Sequence, residues 1–292
     1  MCPLFNRRSI TLGAATSLLL ARPGRVVADV SSGGLPPAQL AEITLTDQRG
    51  ASKQEYSSGQ FLAFQAVNDA SADRLQTITL LPESFPKGTI LRWKWPDNAN
   101  DSVKSWNAID YGNYLNTITP AQVPPSRIKA ISALIHEADI GYSAPPDSAN
   151  VALDLFLYTS GSSTEATMAC EIQVFLHATP SARRFMATLE SLGIYESAAI
   201  GSSPSVRWAV TRQQSNFFKT PYYLFCPSDG SDQLASTFDV KALLNWLRSV
   251  NQTTGKIYLT GEEYFNGLAT GVEPIRKSGS ALFHSIEVTY TR

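Results

Sequence analysis

The sequence predicts an all-β sandwich with a concave face built to hold a ligand. Three observations lead there. Short apolar runs recur along the chain, separated by clusters of Gly, Pro, Asn, Asp and Ser; this is the pattern of many short strands joined by turns. Two of those runs alternate strictly, aliphatic on one face and acid plus aromatic on the other. Apolar residues make up 43% of the 292 and charged residues 17%, enough to fill a core and too few charges for a disordered chain.

The first residues stand apart from this pattern. Asn6-Arg7-Arg8-Ser9-Ile10-Thr11-Leu12 resembles a twin-arginine export motif. The apolar run 12–21 is too short to anchor in a bilayer, and Val26-Val27-Ala28 offers the small residues that a signal peptidase reads. Residues 1–28 are therefore expected to be a removable signal, with the mature protein periplasmic or extracellular. Their removal takes four arginines, so 24 basic side chains become 20 against 25 acidic ones. That balance argues against nucleic acid as a partner. No later stretch is long and apolar enough for a membrane helix. Residues 29–55, rich in Ser, Gly, Pro and Gln, read as a linker or edge segment. The folded domain is expected over 56–292.

Strands are expected at 61–67, 75–81, 89–95, 128–135, 151–158, 169–176, 205–211, 222–226, 256–259 and 281–290. Two helices interrupt them. Val240, Leu243, Leu244 and Leu247 recur at helical spacing, with Asp239 placed to cap the N-terminus. Phe185, Leu189 and Leu192 recur similarly, with Ser181 as cap and Gly193 as terminator.

Parity assigns faces. In the strand around Glu171, the residues Ile172, Val174 and Leu176 point one way, and Glu171, Gln173 and Phe175 the other. In the strand 151–158, Val151, Leu153, Leu155 and Leu157 share a face, which leaves Asp154, Phe156 and Tyr158 opposite. A concave sheet of such strands suits a sugar: rings stack on pyranose faces, and acids and amides bond hydroxyls.

A charge in an apolar alternating strand is costly to bury. Glu171 therefore faces a wet groove or serves chemistry, and Glu273, held between Gly271 and Pro274 where backbone choice is narrow, is its candidate partner. Two carboxyl groups flanking a glycosidic bond are the minimum for hydrolysing it. The plainer reading makes both solvated strand charges, as it does for Glu165, Glu262, Glu263 and Glu287. Trp93 and Trp95 share a strand face and, with Trp106, fit a core as well as a cleft. His136, His177 and His284 lack metal-ligand spacing. There is no G-x-S-x-G and no glycine-rich phosphate loop, so neither metal nor cofactor is expected. Cys170 and Cys226 either pair in an oxidising compartment or stay as two core thiols.

Several segments, in order, resemble glycoside hydrolase family 12. Arg92-Trp93-Lys94-Trp95 followed by Asp101-Ser102-Val103-Lys104-Ser105-Trp106 is similar to the family's W-x-W…VKSY stretch. Ala149-Asn150-Val151-Ala152-Leu153-Asp154-Leu155-Phe156 is similar to ANVAYDLF. Glu171-Ile172-Gln173-Val174-Phe175-Leu176 is similar to E-L-M-I-W-L, which carries the nucleophile. Asp239-Val240-Lys241 with Asn245-Trp246-Leu247-Arg248 is similar to the family helix, and Gly271-Val272-Glu273-Pro274 to G-T-E-P, which carries the acid/base. The resemblance spans roughly 61–286.

It implies a β-jelly roll of two antiparallel sheets with a concave substrate cleft and one or two short helices. It also implies a monomeric enzyme that cuts β-1,4-glucan internally by retaining double displacement, with no cofactor. Glu171 would be the nucleophile, Glu273 the acid/base and Asp154 the support for the nucleophile. Trp95, Trp106, Gln173, Phe175, Asn68 and Asn216 would bind substrate. The chain departs from the family where a sugar-stacking N-N-x-W-G tryptophan is usual, since Asn68-Asp69-Ala70-Ser71 has none. Gln173 and Phe175 replace the family's Met and Trp, Ile140 stands where a tryptophan is usual, and a stretch from His177 to about residue 205 reads as an insertion. These changes point to an altered substrate preference. They also leave open a non-catalytic, carbohydrate-binding jelly roll.

Overall fold

Alternation in the strands sorts side chains onto two faces, and the arrangement follows from it. The computed structural model describes residues 42–46, 55–67, 74–97, 101–115, 119, 121–216, 218–254 and 258–292. The expected signal, most of 29–55, and Asn68 lie outside the described residues. In chain order the strands begin with Ile43–Thr46 (β1), Tyr56–Ser58 (β2), Phe61–Val67 (β3), Leu75–Leu80 (β4), Thr89–Trp95 (β5) and Ser105–Gly112 (β6). Next come Ser126–Arg127 (β7), Ala133–Ser143 (β8), Ala149–Tyr158 (β9) and Met168–His177 (β10). The helix Pro180–Met186 (α1) precedes Glu190–Glu196 (β11), Arg207–Gln213 (β12), Tyr222–Pro227 (β13) and Ala235–Asp239 (β14). The helix Val240–Thr254 (α2) precedes Tyr264–Phe265 (β15), Gly267–Pro274 (β16) and Lys277–Thr291 (β17).

The strands form a β-jelly-roll sandwich. The smaller sheet has the order β1-β4-β5-β17-β8-β14, and the larger runs β11-β12-β13-β10-β9-β16-β6-β3-β2, with β15 joining β9 and β7. The expected antiparallel pairing has one exception: β10 and β13 run parallel. The chain leaves β10 and passes through α1, β11 and β12 before returning, which is the long connection a parallel pair needs. β1 is an edge strand, with Ile43 opposite Leu80 and Leu45 buried.

Two apolar clusters fill the space between the sheets. One gathers Leu153, Leu155, Ile172, Val174 and Phe225 with α2; the other gathers Leu91, Trp93, Trp95, Ile109, Val151 and Phe283. α2 matches its expected pattern. Val240, Leu243, Leu244 and Leu247 are fully buried, and Asp239 Oδ1 accepts from the Ala242 amide at 2.8 Å.

The first helix differs from expectation. It ends at Met186, and its cap is Thr179, whose Oγ1 accepts from the Ala182 amide. Leu192 and Gly193 belong to β11, where Gly193 sits at a bulge with φ 110°. Pairing of β11 with β12 outweighs the helical spacing of three leucine-type residues. The expected strand at 256–259 is also absent from the described part, since Tyr258 and Leu259 are buried without being in a strand.

Cys170 and Cys226 are free. Cys170 points between the sheets, and Cys226 lies on the outer, concave face of the larger one; opposite faces of a sheet preclude a bond. Burial raises both thiols, Cys226 to about 11 and Cys170 further. Alkylation of the native protein is expected to leave both unlabelled on a timescale that labels them fully in denaturant. Rapid native labelling, read by mass spectrometry, would contradict the placement.

His136 of β8 meets Thr270 of β16 between the sheets, Nε2 to Oγ1 at 2.8 Å. Burial lowers its imidazole from 6.5 to about 4. The unfolded chain therefore binds this proton first as pH falls. The stability conferred by a neutral ring is complete above about pH 6.5 and is lost as pH drops toward 4. Between pH 7 and pH 4.5 the wild type should lose about 2–3 kcal/mol more than His136→Gln in urea titrations.

Candidate active site

The concave face of the larger sheet lines its side chains in rows across the strands. One row runs Asp110, Ala269, Asp154 and Gln173, through β6, β16, β9 and β10; the next runs Ala108, Gly271, Ala152 and Phe175. Small side chains thus lie in two adjacent rows across the strands, buried in one apolar cluster with Tyr114, Phe156 and Phe175. A Cβ on Gly271 would sit 2.2 Å from the Asn107 carbonyl oxygen and 2.8 Å from Ala108 Cβ, so that position has no room for a larger residue.

The two glutamates bracket these rows. Glu171 lies opposite Phe156 and Glu273 opposite Asn150, so the two rows lie between them. Their partners on β9 are six residues apart, about 20 Å of strand at 3.3 Å per residue. All the acids are deeply placed: Glu171 is 1% exposed, Glu273 2% and Asp154 3%.

Buried carboxylates need donors, and the two glutamates have similar ones. Asn150 Nδ2 donates to Glu273 Oε2 at 3.0 Å. The orientation of this amide is set by Thr179, whose amide and hydroxyl both donate to Asn150 Oδ1, at 2.9 and 2.8 Å. Asn216 Nδ2 donates to Glu171 Oε2, and its Oδ1 accepts from the amide and hydroxyl of Thr220 at 3.1 and 3.2 Å. Each acid is thus gripped by an asparagine that a threonine holds in one orientation.

Tyr114 packs in the same cluster. Its hydroxyl donates to Asp154 Oδ2 at 2.8 Å, and its ring lies against Phe156. Burial, and after it the charges of Asp154, Glu171 and Asp110, hold its phenol well above the ordinary range, so it remains a donor. Among the described residues no trio of His, Cys, Asp and Glu is disposed to hold a metal ion.

The expected site residues are thus partly assembled. Glu171, Asp154, Gln173, Phe175, Glu273 and Trp106 share the concave face. Gln173 Oε1 accepts from the Tyr222 hydroxyl, while Gln173 Nε2 and Trp106 Nε1 have no partner among the described residues. Trp95 is a correction. It points between the sheets with Leu91 and Trp93, because the odd positions of β5 are the buried ones. Phe175 is another: it is buried in an apolar cluster with Ala182 and Met186 of α1 and offers no face to a sugar. Asn216 holds Glu171.

Asp110, Tyr114, Asn150, Thr179 and Thr220 were not singled out from the sequence. Asn150 had a signal, since it shares the parity of Asp154 in one strand. Tyr114 follows the end of β6, and Thr220 lies in a loop, where periodicity says nothing.

No family model matches the chain, and no curated protein matches it in sequence. The backbone does match solved structures. A family 12 xyloglucanase from Bacillus licheniformis is 17% identical, with a TM-score of 0.64 over 85% of this chain and 100% of that one. Endoglucanase 3 of Trichoderma harzianum, from family GH12, is 19% identical with a TM-score of 0.62, covering 87% and 100%. A metagenome-derived family 12 endoglucanase is 20% identical with a TM-score of 0.60, covering 86% and 99%. This chain has the fold of those enzymes.

Replacing Asn150 or Asn216 with Ala leaves a buried carboxylate short of a donor. Each should lower stability by about 1–3 kcal/mol in urea denaturation, and Thr179→Val or Thr220→Val by less. A neutral Asn216→Ala would contradict the brace.

Proposed function

We propose that the protein is a glycoside hydrolase acting on β-1,4-linked glucan, with Glu171 and Glu273 as its catalytic pair. The observation that carries this reading is their placement: one sheet face, opposite sides of the same two rows of side chains, each held by an oriented amide. The fold shared with enzymes described as xyloglucanase and endoglucanase supports the same substrate class.

In the retaining form of the reaction, the Glu171 carboxylate attacks the anomeric carbon while Glu273, as the acid, gives its proton to the departing oxygen. A glycosyl ester on Glu171 results. Water then enters; Glu273 takes its proton, the ester bond breaks, and Glu171 returns as carboxylate. Tyr114, by donating to Asp154, keeps that side chain fixed beside Glu171 and able to steady it.

The row offset between the two glutamates, about 20 Å along the strands at 3.3 Å per residue, is longer than the carboxyl separation of either glycosidase mechanism and favours a reading without turnover. Retention calls for carboxyl groups about 5–5.5 Å apart, whereas about 6.5–9.5 Å leaves room for a water and gives inversion. Proton NMR of the first product anomer decides. A β-anomer is expected, and an α-anomer would recast Glu171 as the base that activates water. The other reading, binding without turnover, is favoured by the covering of Phe175.

Glu171→Gln and Glu273→Gln should each abolish nearly all release of reducing ends from barley β-glucan, xyloglucan and carboxymethyl cellulose, with unchanged circular dichroism. Full activity in both variants would refute the assignment. Binding of these glucans by the wild type with no new ends would favour the second reading.

A further inference from the structure

His177 ends β10, and its ring is engaged at both nitrogens. Nδ1 lies 2.9 Å from Asp232 Oδ1, and Nε2 lies 3.2 Å from the Pro146 carbonyl oxygen. A carboxylate and a carbonyl oxygen can only accept. A neutral imidazole has one N–H, so it would turn a lone pair toward one of these oxygens. Only the imidazolium donates to both. The His177 side chain is buried, while that of Asp232 is 44% exposed. The Tyr142 ring lies against the imidazole, with centroids 4.7 Å apart. Burial raises the Tyr142 phenol well above its ordinary range, the charges of Asp232 and Asp147 add to this, and its hydroxyl donates to the Ala149 carbonyl at 3.2 Å. Asp147 is matched by Lys277, whose Nζ lies 3.1 and 2.9 Å from its two oxygens. On the β13 side, near Cys226, the charged groups are Arg183, Asp232 and Asp229. Arg183 Nε donates to the Ala178 carbonyl at 3.1 Å.

We infer that His177 is held as an imidazolium and that this charged clip fixes the surroundings of Glu273 from two directions. The first runs through Pro146, in the connection from β8 to β9. Two residues on, the Ser148 carbonyl accepts from the amides of Ile275 and Arg276 at 2.8 and 3.1 Å, and Ser148 Oγ donates to the Arg276 carbonyl at 2.8 Å. Those residues directly follow Glu273 and Pro274. The second runs through Thr179, two residues after His177, which orients the Asn150 amide that grips Glu273. Asp232 is itself anchored beside the ring, since the amide of Gln233 donates to the Leu176 carbonyl at 2.7 Å. An opposite charge in contact offsets the cost of burying a cation. His177 is thus a positioning residue that acts through Ser148 and Asn150, and the inference does not depend on turnover of a sugar.

The test is nitrogen NMR of the intact protein at neutral pH. His177 is assigned by the signals lost in His177→Gln or, should that variant not fold, by those moved in Asp232→Asn. Two protonated ring nitrogens are expected on His177, against one on His136, whose ring burial keeps neutral. A bare nitrogen on His177 overturns the inference. Asp232→Asn, at a side chain open to solvent, should remove one of the two protons and shift the side-chain amide signals of Asn150. A ring that keeps both protons in that variant, or Asn150 signals that stay in place, overturns the clip. Neither readout needs activity, so a clip that fails leaves the hydrolase reading intact, and an inactive protein leaves the clip standing.

Discussion

Keeping carboxylates on a sheet face with almost no water is the constraint on which the rest of the site depends. Glu171, Glu273, Asp154 and Asp110 all stand on the concave face of the larger sheet, and all are buried. An unpartnered charge in that position would cost several kcal/mol. The structure meets the demand with neutral donors, the amides of Asn150 and Asn216 and the phenol of Tyr114. Neutral donors hold an acid without neutralising it. The threonine behind each asparagine removes the freedom of the amide to flip, so the direction of each bond is fixed by backbone as well as by side chain.

The sheet supplies the second half of the design. With period-two alternation, the same strands build the core between the sheets with one face and present the carboxylates on the other. Isoleucine and valine beside Glu171 anchor β10 between the sheets, and their packing is what keeps the acid from turning inward. The small residues of the two rows follow from the same geometry. Ala108, Gly271 and Ala152 stand side by side across the strands, and a Cβ on Gly271 would meet Ala108 at 2.8 Å. On the core side His136 meets Thr270, whereas the side chains of Gln76, Ser105 and Asn107 have no hydrogen-bond partner among the described residues.

Much of this was legible in the sequence because it is periodic. The alternation around Asp154 and Glu171 assigned faces correctly, and the spacing of α2 with its aspartate cap gave both its position and its buried side. What periodicity cannot carry was missed. The pattern in β5 shows that Trp93 and Trp95 share a face but not which sheet they belong to, and the smaller sheet turned them inward. The spacing of Phe185, Leu189 and Leu192 reads as one longer helix, yet α1 ends at Met186 and β12 offers an open edge that claims Leu192 for β11. Phe175 reads as a sugar platform until α1 is placed over it, and that packing joins segments far apart in the chain. Tyr114 and Thr220 act from loops, where no repeat marks them.

Thr179 belongs to two structures at once, since it starts α1 and orients the amide that grips Glu273. Any natural or laboratory redesign that trims the stretch after β10 would also free the amide that grips Glu273, unless this single threonine were spared. The seat of the helix and the hold on the carboxylate are therefore not independent traits in this architecture. A lineage rebuilding this loop would have to begin beyond Thr179.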